Sequence, residues 1–267
     1  MKNNFVQKQN EILFLMPIRN RRTNAIKSIK SIVASGLGKN FDFLIIQDYD
    51  KDNLSIDDFD KKIFNDQTIG KIKIINVKIG GVFYKTKLLN FGIKSTKNKF
   101  IVQQDADILF EKSFLERLIV LCSNEENFLL QYFAAPYYET DCMIEPALNF
   151  QDKIRGKNDL VSHTHILYRP QVEAVRGYDE RMRIWREEKD LYQRISGKFR
   201  LKGCDMGEFG IKNMHLTHSN KLRSGDAGMD LKNKLIKNEN ASLKQFVSNP
   251  NGWGRITKKQ IISIEEN

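Results

Sequence analysis

The segment Ile101-Val102-Gln103-Gln104-Asp105-Ala106-Asp107-Ile108-Leu109-Phe110 sets two carboxylates one residue apart between two apolar patches. In an extended chain, residues i and i+2 face the same side, so Asp105 and Asp107 present their charges to one point. Like charges held that close repel, and partial burial strengthens the repulsion. A cation between them removes it. Hard divalent ions take oxygen ligands, and Mg2+ is typically held by one or two carboxylates together with substrate phosphates. Two aspartates at a strand end also suit a turn or the cap of a following helix, so the pair alone does not settle the chemistry.

Two further groups could serve the same site. Asn213-Met214-His215-Leu216-Thr217-His218 puts two imidazoles at i and i+3, where both can reach one ion if the segment turns. Trp185-Arg186-Glu187-Glu188-Lys189-Asp190-Leu191 concentrates carboxylates that could take a proton from a hydroxyl nucleophile. The same stretch also reads as an ordinary charged helix with i,i+4 pairs. His163 and His165 would face one side of a strand, but no further ligands are spaced to complete a zinc site. They are expected to be structural or to contact substrate. Cys122, Cys142 and Cys204 share no metal-like spacing and are read as reduced thiols of a cytosolic protein.

These residues need elements to position them. Ile12 to Met16 is a short apolar run closed by Pro17, read as a strand. A helix is expected from about Thr23 to Ser35, with Gly36 as its stop. Phe43 to Ile46 is a second strand running into Asp48 and Asp50. Ile69 to Ile79 alternates apolar and basic residues as a third strand. Leu88, Leu89 and Ile93 mark a helix, and Lys99 to Gln104 a fourth strand. Strands alternating with helices predict a parallel sheet with crossover helices, whose ligands sit beyond the carboxyl ends of the strands. Arg19, Asn20, Asp48, Asp50, Asp105 and Asp107 all fall there. Farther on, a helix is expected from Phe114 to Leu121, strands over 127–138 and 163–170, and a helix over 188–196.

The chain has 267 residues, 40% hydrophobic and 29% charged, with a net charge of +11. That is enough to bury a core without disulfides, and the composition is globular. No apolar run approaches a membrane span, and the first residues lack the apolar core of a signal peptide. The positive charge suits nucleic acid, an anionic membrane surface or phosphorylated substrates, and equally a merely soluble Lys-rich surface. No helix-turn-helix, RNA-binding or zinc-finger pattern supports a basic nucleic-acid-binding protein. A metal-dependent nucleotidyltransferase would also use paired aspartates, but gives no reason for Glu187-Glu188-Lys189-Asp190-Leu191.

In order along the chain, Pro17-Ile18-Arg19-Asn20-Arg21, Lys87-Leu88-Leu89-Asn90-Phe91-Gly92-Ile93, Asp105-Ala106-Asp107 and Gly177-Tyr178-Asp179-Glu180 through Trp185 to Leu191 resemble the motifs of the GT-A inverting glycosyltransferases. The type is that of family 2, with features of the β-1,4-galactosyltransferase branch. These groups include bacterial capsule and lipopolysaccharide transferases. The resemblance spans about residues 12 to 220. It implies a GT-A, Rossmann-like α/β fold, a mostly parallel sheet with flanking helices in a single domain. The domain would cover 1–220, with the nucleotide-binding half about 11–115 and the acceptor half about 116–220; residues 221–267, Lys- and Asn-rich with weak periodicity, are read from their composition as a partly helical basic tail, packed on the domain or mobile.

By the same resemblance, Arg19, Asp48, Lys87 and Asp105 would contact a nucleotide-sugar donor, in particular a UDP-linked hexose or N-acetylhexosamine. Asp107 would hold Mn2+ or Mg2+, completed by His218 and by His215, where the family has Met; Met214 lies one position off. Glu188 falls at the general-base position, and a one-residue shift of register would exchange its role with that of Glu187. Trp185 and Asp190 would face the acceptor, a glycan or a lipid-linked saccharide, although Trp185 could equally be core. The Glu-Glu in place of the usual Glu-Asp, and Arg186 after Trp185, depart from the family pattern. The protein is expected in the cytoplasm, without nucleic acid as partner, with peripheral contact at an anionic inner membrane face as a further expectation.

Overall fold

The structure is a computed structural model that describes residues 10–65, 67–140, 155–157, 163–183, 186–209, 213–216, 227–242 and 244–267. Four parallel strands form its centre, in the order β3 (Ile72–Val77), β2 (Phe41–Asp48), β1 (Ile12–Ile18) and β4 (Phe100–Gln103). Every residue of β1 is buried, as parallel strands covered on both faces require. Alternate side chains serve two cores. Phe14 and Met16 pack beneath α1 (Arg22–Ala34) and α3 (Lys112–Cys122), whereas Leu13 and Leu15 pack beneath α2 (Lys85–Lys94), α5 (Arg169–Ala174) and α6 (Glu187–Phe199).

The expected α/β architecture is thus the observed one. β1 runs two residues past the expected stop at Pro17. β4 pairs with β1 only as far as Leu15, so Pro17 has a strand partner on one side alone, a position that tolerates a missing N–H. α2 packs tightly on β1, and a Cβ on Gly92 would lie 2.4 Å from Leu15 Cδ1. Only glycine permits this approach.

Beyond β4 the pairing is mixed, antiparallel at β8 and β7 and parallel where β6 meets β9 and β10. β8 (His163–Tyr168) lies against β4 and against β6 (Gln131–Thr140). The strand expected over 127–138 begins later, because Glu126–Leu130 forms the short helix α4 before β6 starts. β6 also pairs with β9 (Lys202–Asp205), with β7 (Arg155–Lys157) and with β10 (Asn213–Leu216), which in turn pairs with β5 (Ile108–Leu109).

Residue 220 does not mark the edge of the fold. α7 (Ala227–Ser242) docks on α6, Trp253 is buried in the core under α2, and β11 (Ile261–Glu266) adds an antiparallel edge strand to β3. Glu265 receives hydrogen bonds from Ser55, Ile56 and Asn76. The Lys- and Asn-rich composition of 221–267 hid this strand, since an edge strand needs apolar residues on one face only.

Among the described residues no helix is long and apolar enough to cross a membrane.

Candidate active site

The site lies where the carboxyl ends of β1, β2, β3 and β4 open toward α2 and α6. After β1, Asn20 takes a left-handed conformation, φ 54°, which asparagine tolerates better than most residues. Its amide ties the next loop down. Nδ2 donates to Asp50 at 2.8 Å, and Oδ1 accepts from the backbone N–H of Lys51 and Asp52. Arg19 extends over the same loop, with Nε 3.3 Å from Asp50, Nη1 3.6 Å from Asp48, and a hydrogen bond to the carbonyl of Gly81. The bond from Asn20, with the charge of Arg19, holds the Asp50 carboxyl below its usual range.

Asp48 ends β2 and is buried. Its Oδ1 accepts from the N–H of Ile79 at 3.1 Å, while Oδ2 has no hydrogen-bond partner. The Arg19 guanidinium, 3.6 Å from this oxygen, offsets its charge without hydrogen-bonding to it, which leaves an acceptor that a ligand N–H could complete.

The second group of residues centres on Lys85, in the first turn of α2. Its ammonium lies 2.8 Å from Asp105, 3.0 Å from Glu187 and 2.5 Å from Glu188. Only 10% of the Lys85 side chain is exposed, and the Glu187 side chain is fully buried. Burial pushes Glu187 up to about 8, helped by the neighbouring Glu188. Burial acts on Glu188 in the same sense, but Lys85 outweighs it, with His165 contributing, and its carboxyl is held down at about 2. The pair therefore keeps one proton near neutral pH, with burial driving Glu187 up and Lys85 driving Glu188 down. Glu187, Glu188 and Asp190 occupy the first turn of α6, where the helix dipole favours negative charge. Asp105 is pushed up by desolvation in this crowded site, against the pull of Lys85.

Two sequence motifs brace each other beneath this cluster. Asn90 Nδ2 donates to the carbonyl of Tyr178, and the Tyr178 N–H returns a bond to Asn90 Oδ1, both at 2.8 Å. Gly177 precedes this clamp with φ 70°, and a Cβ there would stand 2.3 Å from Asn90 Oδ1. On either side of Lys85, the Tyr84 hydroxyl donates to the carbonyl of Glu180 and the Thr86 hydroxyl to that of Met182.

Asp107 is reached from the other side. β10 pairs with β5, the Leu216 N–H donates to the Asp107 carbonyl at 2.8 Å, and His215 Nε2 comes within 3.5 Å of Asp107 Oδ1. A carboxylate beside an imidazole is a donor set that suits Mn2+. Among the described residues no group of three His, Cys, Asp or Glu side chains is gathered in metal-binding proximity. His218 and Trp185 lie outside the described residues.

The structure thus brings together Arg19 with Asp48, Asp105 with Glu187 and Glu188, and Asp107 with His215. It does not bring in Lys87 or Asp190. No hydrogen bond or ion pair among the described residues joins Lys87 to the cluster; Lys85 fills that place. The signal was present, because Lys85, Leu88, Leu89 and Gly92 share the i, i+3, i+4, i+7 stripe that faces the core, and Lys87 does not. Asp190 points inward rather than to an acceptor. It is buried, with Oδ2 2.7 Å from Arg194 Nε and Oδ1 accepting from Asn240 Nδ2 at 2.8 Å. His165 was expected to be structural or substrate-contacting; it is buried, with Nδ1 2.8 Å from the Tyr132 hydroxyl.

Neither a protein-family model nor a curated protein sequence matches the chain. Solved glycosyltransferases share its fold. The mannosyltransferase PcManGT from Pyrobaculum calidifontis, in complex with GDP-Man and Mn2+, matches with a TM-score of 0.56 at 8% identity, over 91% of this chain and 67% of that one. S. aureus TarS 1-349 in complex with UDP-GlcNAc matches with a TM-score of 0.53 at 13% identity, over 80% of this chain and 60% of that one. Its complex with UDP matches with the same TM-score at 11% identity, over 77% and 60%. The chain spans between 35% and 60% of the TarS chains it matches. At such identities the likeness is one of fold alone.

Proposed function

We propose that this protein is an inverting, metal-assisted glycosyltransferase. It moves a sugar from a nucleotide-sugar donor, UDP-linked by preference, to a hydroxyl of a glycan or lipid-linked acceptor. One observation carries the reading: Asp105, beyond the carboxyl end of β4, faces the Glu187-Glu188 turn of α6 across a single ammonium, which lies 2.8 Å from Asp105 and 2.5 Å from Glu188. Donor and acceptor would meet in that gap. The solved neighbours are complexes with GDP-Man and Mn2+, with UDP and with UDP-GlcNAc, and the fold shared with them supports the same class of donor here.

In this reading Arg19 and Asp48 hold the nucleotide, with the buried Asp48 Oδ2 accepting from a base N–H. Asp107 and His215 would hold the divalent ion, which supplies charge to the departing diphosphate. Glu188, ionised at neutral pH, accepts the proton of the acceptor hydroxyl as its oxygen attacks the anomeric carbon. The bond from that carbon to the diphosphate oxygen breaks, and the nucleoside diphosphate leaves with the electron pair. Glu187, which keeps its proton, orients the acceptor or its neighbour Glu188 rather than serving as the base.

The test is a screen of UDP-glucose, UDP-galactose, UDP-N-acetylglucosamine and GDP-mannose for nucleotide release with Mn2+ and with EDTA. Release in Mn2+ and none in EDTA is expected for at least one donor. Equal release in EDTA would overturn the metal, and no release from any donor would overturn the function.

A further inference from the structure

We propose that Lys85, which stands outside the recognised motifs, is the positioning residue that joins the two halves of this site, anchoring on Asp105 and holding the Glu188 carboxylate in place for proton transfer. This role rests on the function proposed above and specifies how its base is aimed.

Three observations carry it. The ammonium contacts carboxylates from two separate parts of the chain, Asp105 beyond β4 and Glu187 and Glu188 on α6. Lys85 is itself held firmly. The hydroxyls of its neighbours Tyr84 and Thr86 are bonded to the carbonyls of Glu180 and Met182, and the Thr86 N–H donates to the carbonyl of Arg183 at 3.2 Å. The start of α2 and the segment leading into α6 therefore move as one piece. The side chain is also almost closed off from solvent, so it is placed to act on protein carboxylates rather than to catch a passing anion. A lysine so enclosed is a fixed charge, and a carboxylate bonded to it loses rotational freedom and stays ionised, aimed at one point.

A residue that acts through Glu188 predicts a particular pattern of kinetics. Lys85→Met should lower kcat by about 10²-fold, comparable to removal of the base itself. It should leave UDP affinity in Mn2+, read by calorimetry, within about threefold of wild type. Combined with Glu188→Gln, it should add no more than about threefold to the loss that Glu188→Gln causes alone, because both changes remove the same function. Lys85→Met leaves three carboxylates without their cation and could unfold the chain, so Lys85→Arg is measured beside it. Arginine keeps the charge but not the geometry, and kcat should still fall about 10-fold with UDP affinity unchanged. Losses that multiply in the double variant, or weakened UDP binding with kcat intact, would overturn the proposal and make Lys85 a donor contact. Wild-type kcat in Lys85→Arg would overturn it too. A wild type that turns over no nucleotide sugar would remove the function and this role with it, whereas an active wild type beside an equally active Lys85→Met would remove the role alone.

Discussion

The two halves of the site handle charge differently. Around Arg19, Asp48 and Asp50, acids and cation sit at the ends of neighbouring strands, Arg19 and Asp50 partly exposed and Asp48 buried, and the loops after β1 and β3 close the network through Asn20 and Gly81. Around Lys85, three carboxylates crowd one ammonium, with Glu187 fully buried, Glu188 largely so, and Asp105 open to solvent on one side. The first arrangement is what any parallel sheet offers at its carboxyl edge, a polar rim ready to meet a polar ligand. The second has no such generic origin. Burying carboxylates beside each other is unfavourable, and the fold accepts it only because Lys85 and the N-terminus of α6 offset part of the repulsion. Strain of this kind concentrates where a group must be kept in a particular protonation state. The donor side is therefore read as a receptor and the Lys85 side as the chemical centre.

The largest expected effect tests the boundary between the halves. Asp107→Ala should abolish most activity together with most Mn2+-dependent nucleotide binding, because the diphosphate loses its counter-charge. Calorimetry with UDP and Mn2+ checks it, and wild-type binding would move the metal elsewhere. Next, Glu188→Gln should lower turnover by about 10² or more while UDP binding survives, separating chemistry from donor binding. Glu187→Gln should raise the acceptor KM instead. If the two variants show the opposite pattern, the base is Glu187 and the register of the motif shifts by one.

A smaller effect concerns the support beneath the cluster. Asp190→Ala leaves Arg194 buried without its partner, and should destabilise the fold by about 3–5 kcal/mol in urea melts. If instead stability is unchanged and the acceptor KM rises, Asp190 faces the acceptor after all.

The smallest expected effect is on pH. Folded Glu187 keeps its proton up to about 8, whereas the unfolded chain releases it near 4.5. The folded state binds the extra proton within that window, so stability should fall as pH rises from 4.5 toward 8. Glu188, held at about 2, acts in the opposite sense, and its contribution is lost only as pH falls below 4.5 toward 2. Glu187→Gln should flatten the upper slope, seen as a smaller drop in Tm between the two ends of that window. An unchanged slope would show that the pair does not retain its proton.

The same contrast explains what was legible in the sequence. Strand-end residues follow from local pattern, so Arg19, Asp48, Asp105 and Asp107 could be placed from apolar runs and the polar residues after them. The order of β1 to β4 with their helices followed likewise. The Lys85 cluster depends on α2 and α6 meeting over one face of the sheet, which no local pattern records, so the motif residue Lys87 and not Lys85 stands out in the sequence. Asp190 was misplaced for a related reason, since a charged helix does not reveal which of its acids faces inward until Arg194 and Asn240 are seen against it. The edge strand β11 escaped notice because Lys258, Lys259, Glu265 and Glu266 frame it in charge.

The central claim, a single displacement driven by the Glu188 carboxylate, is tested most directly by the anomeric configuration of the product. An α-linked nucleotide sugar should give a β-linked product in proton NMR, because attack on the anomeric carbon comes from the face opposite the diphosphate. An α-linked product would contradict the account, since retention leaves no task for a base in that position.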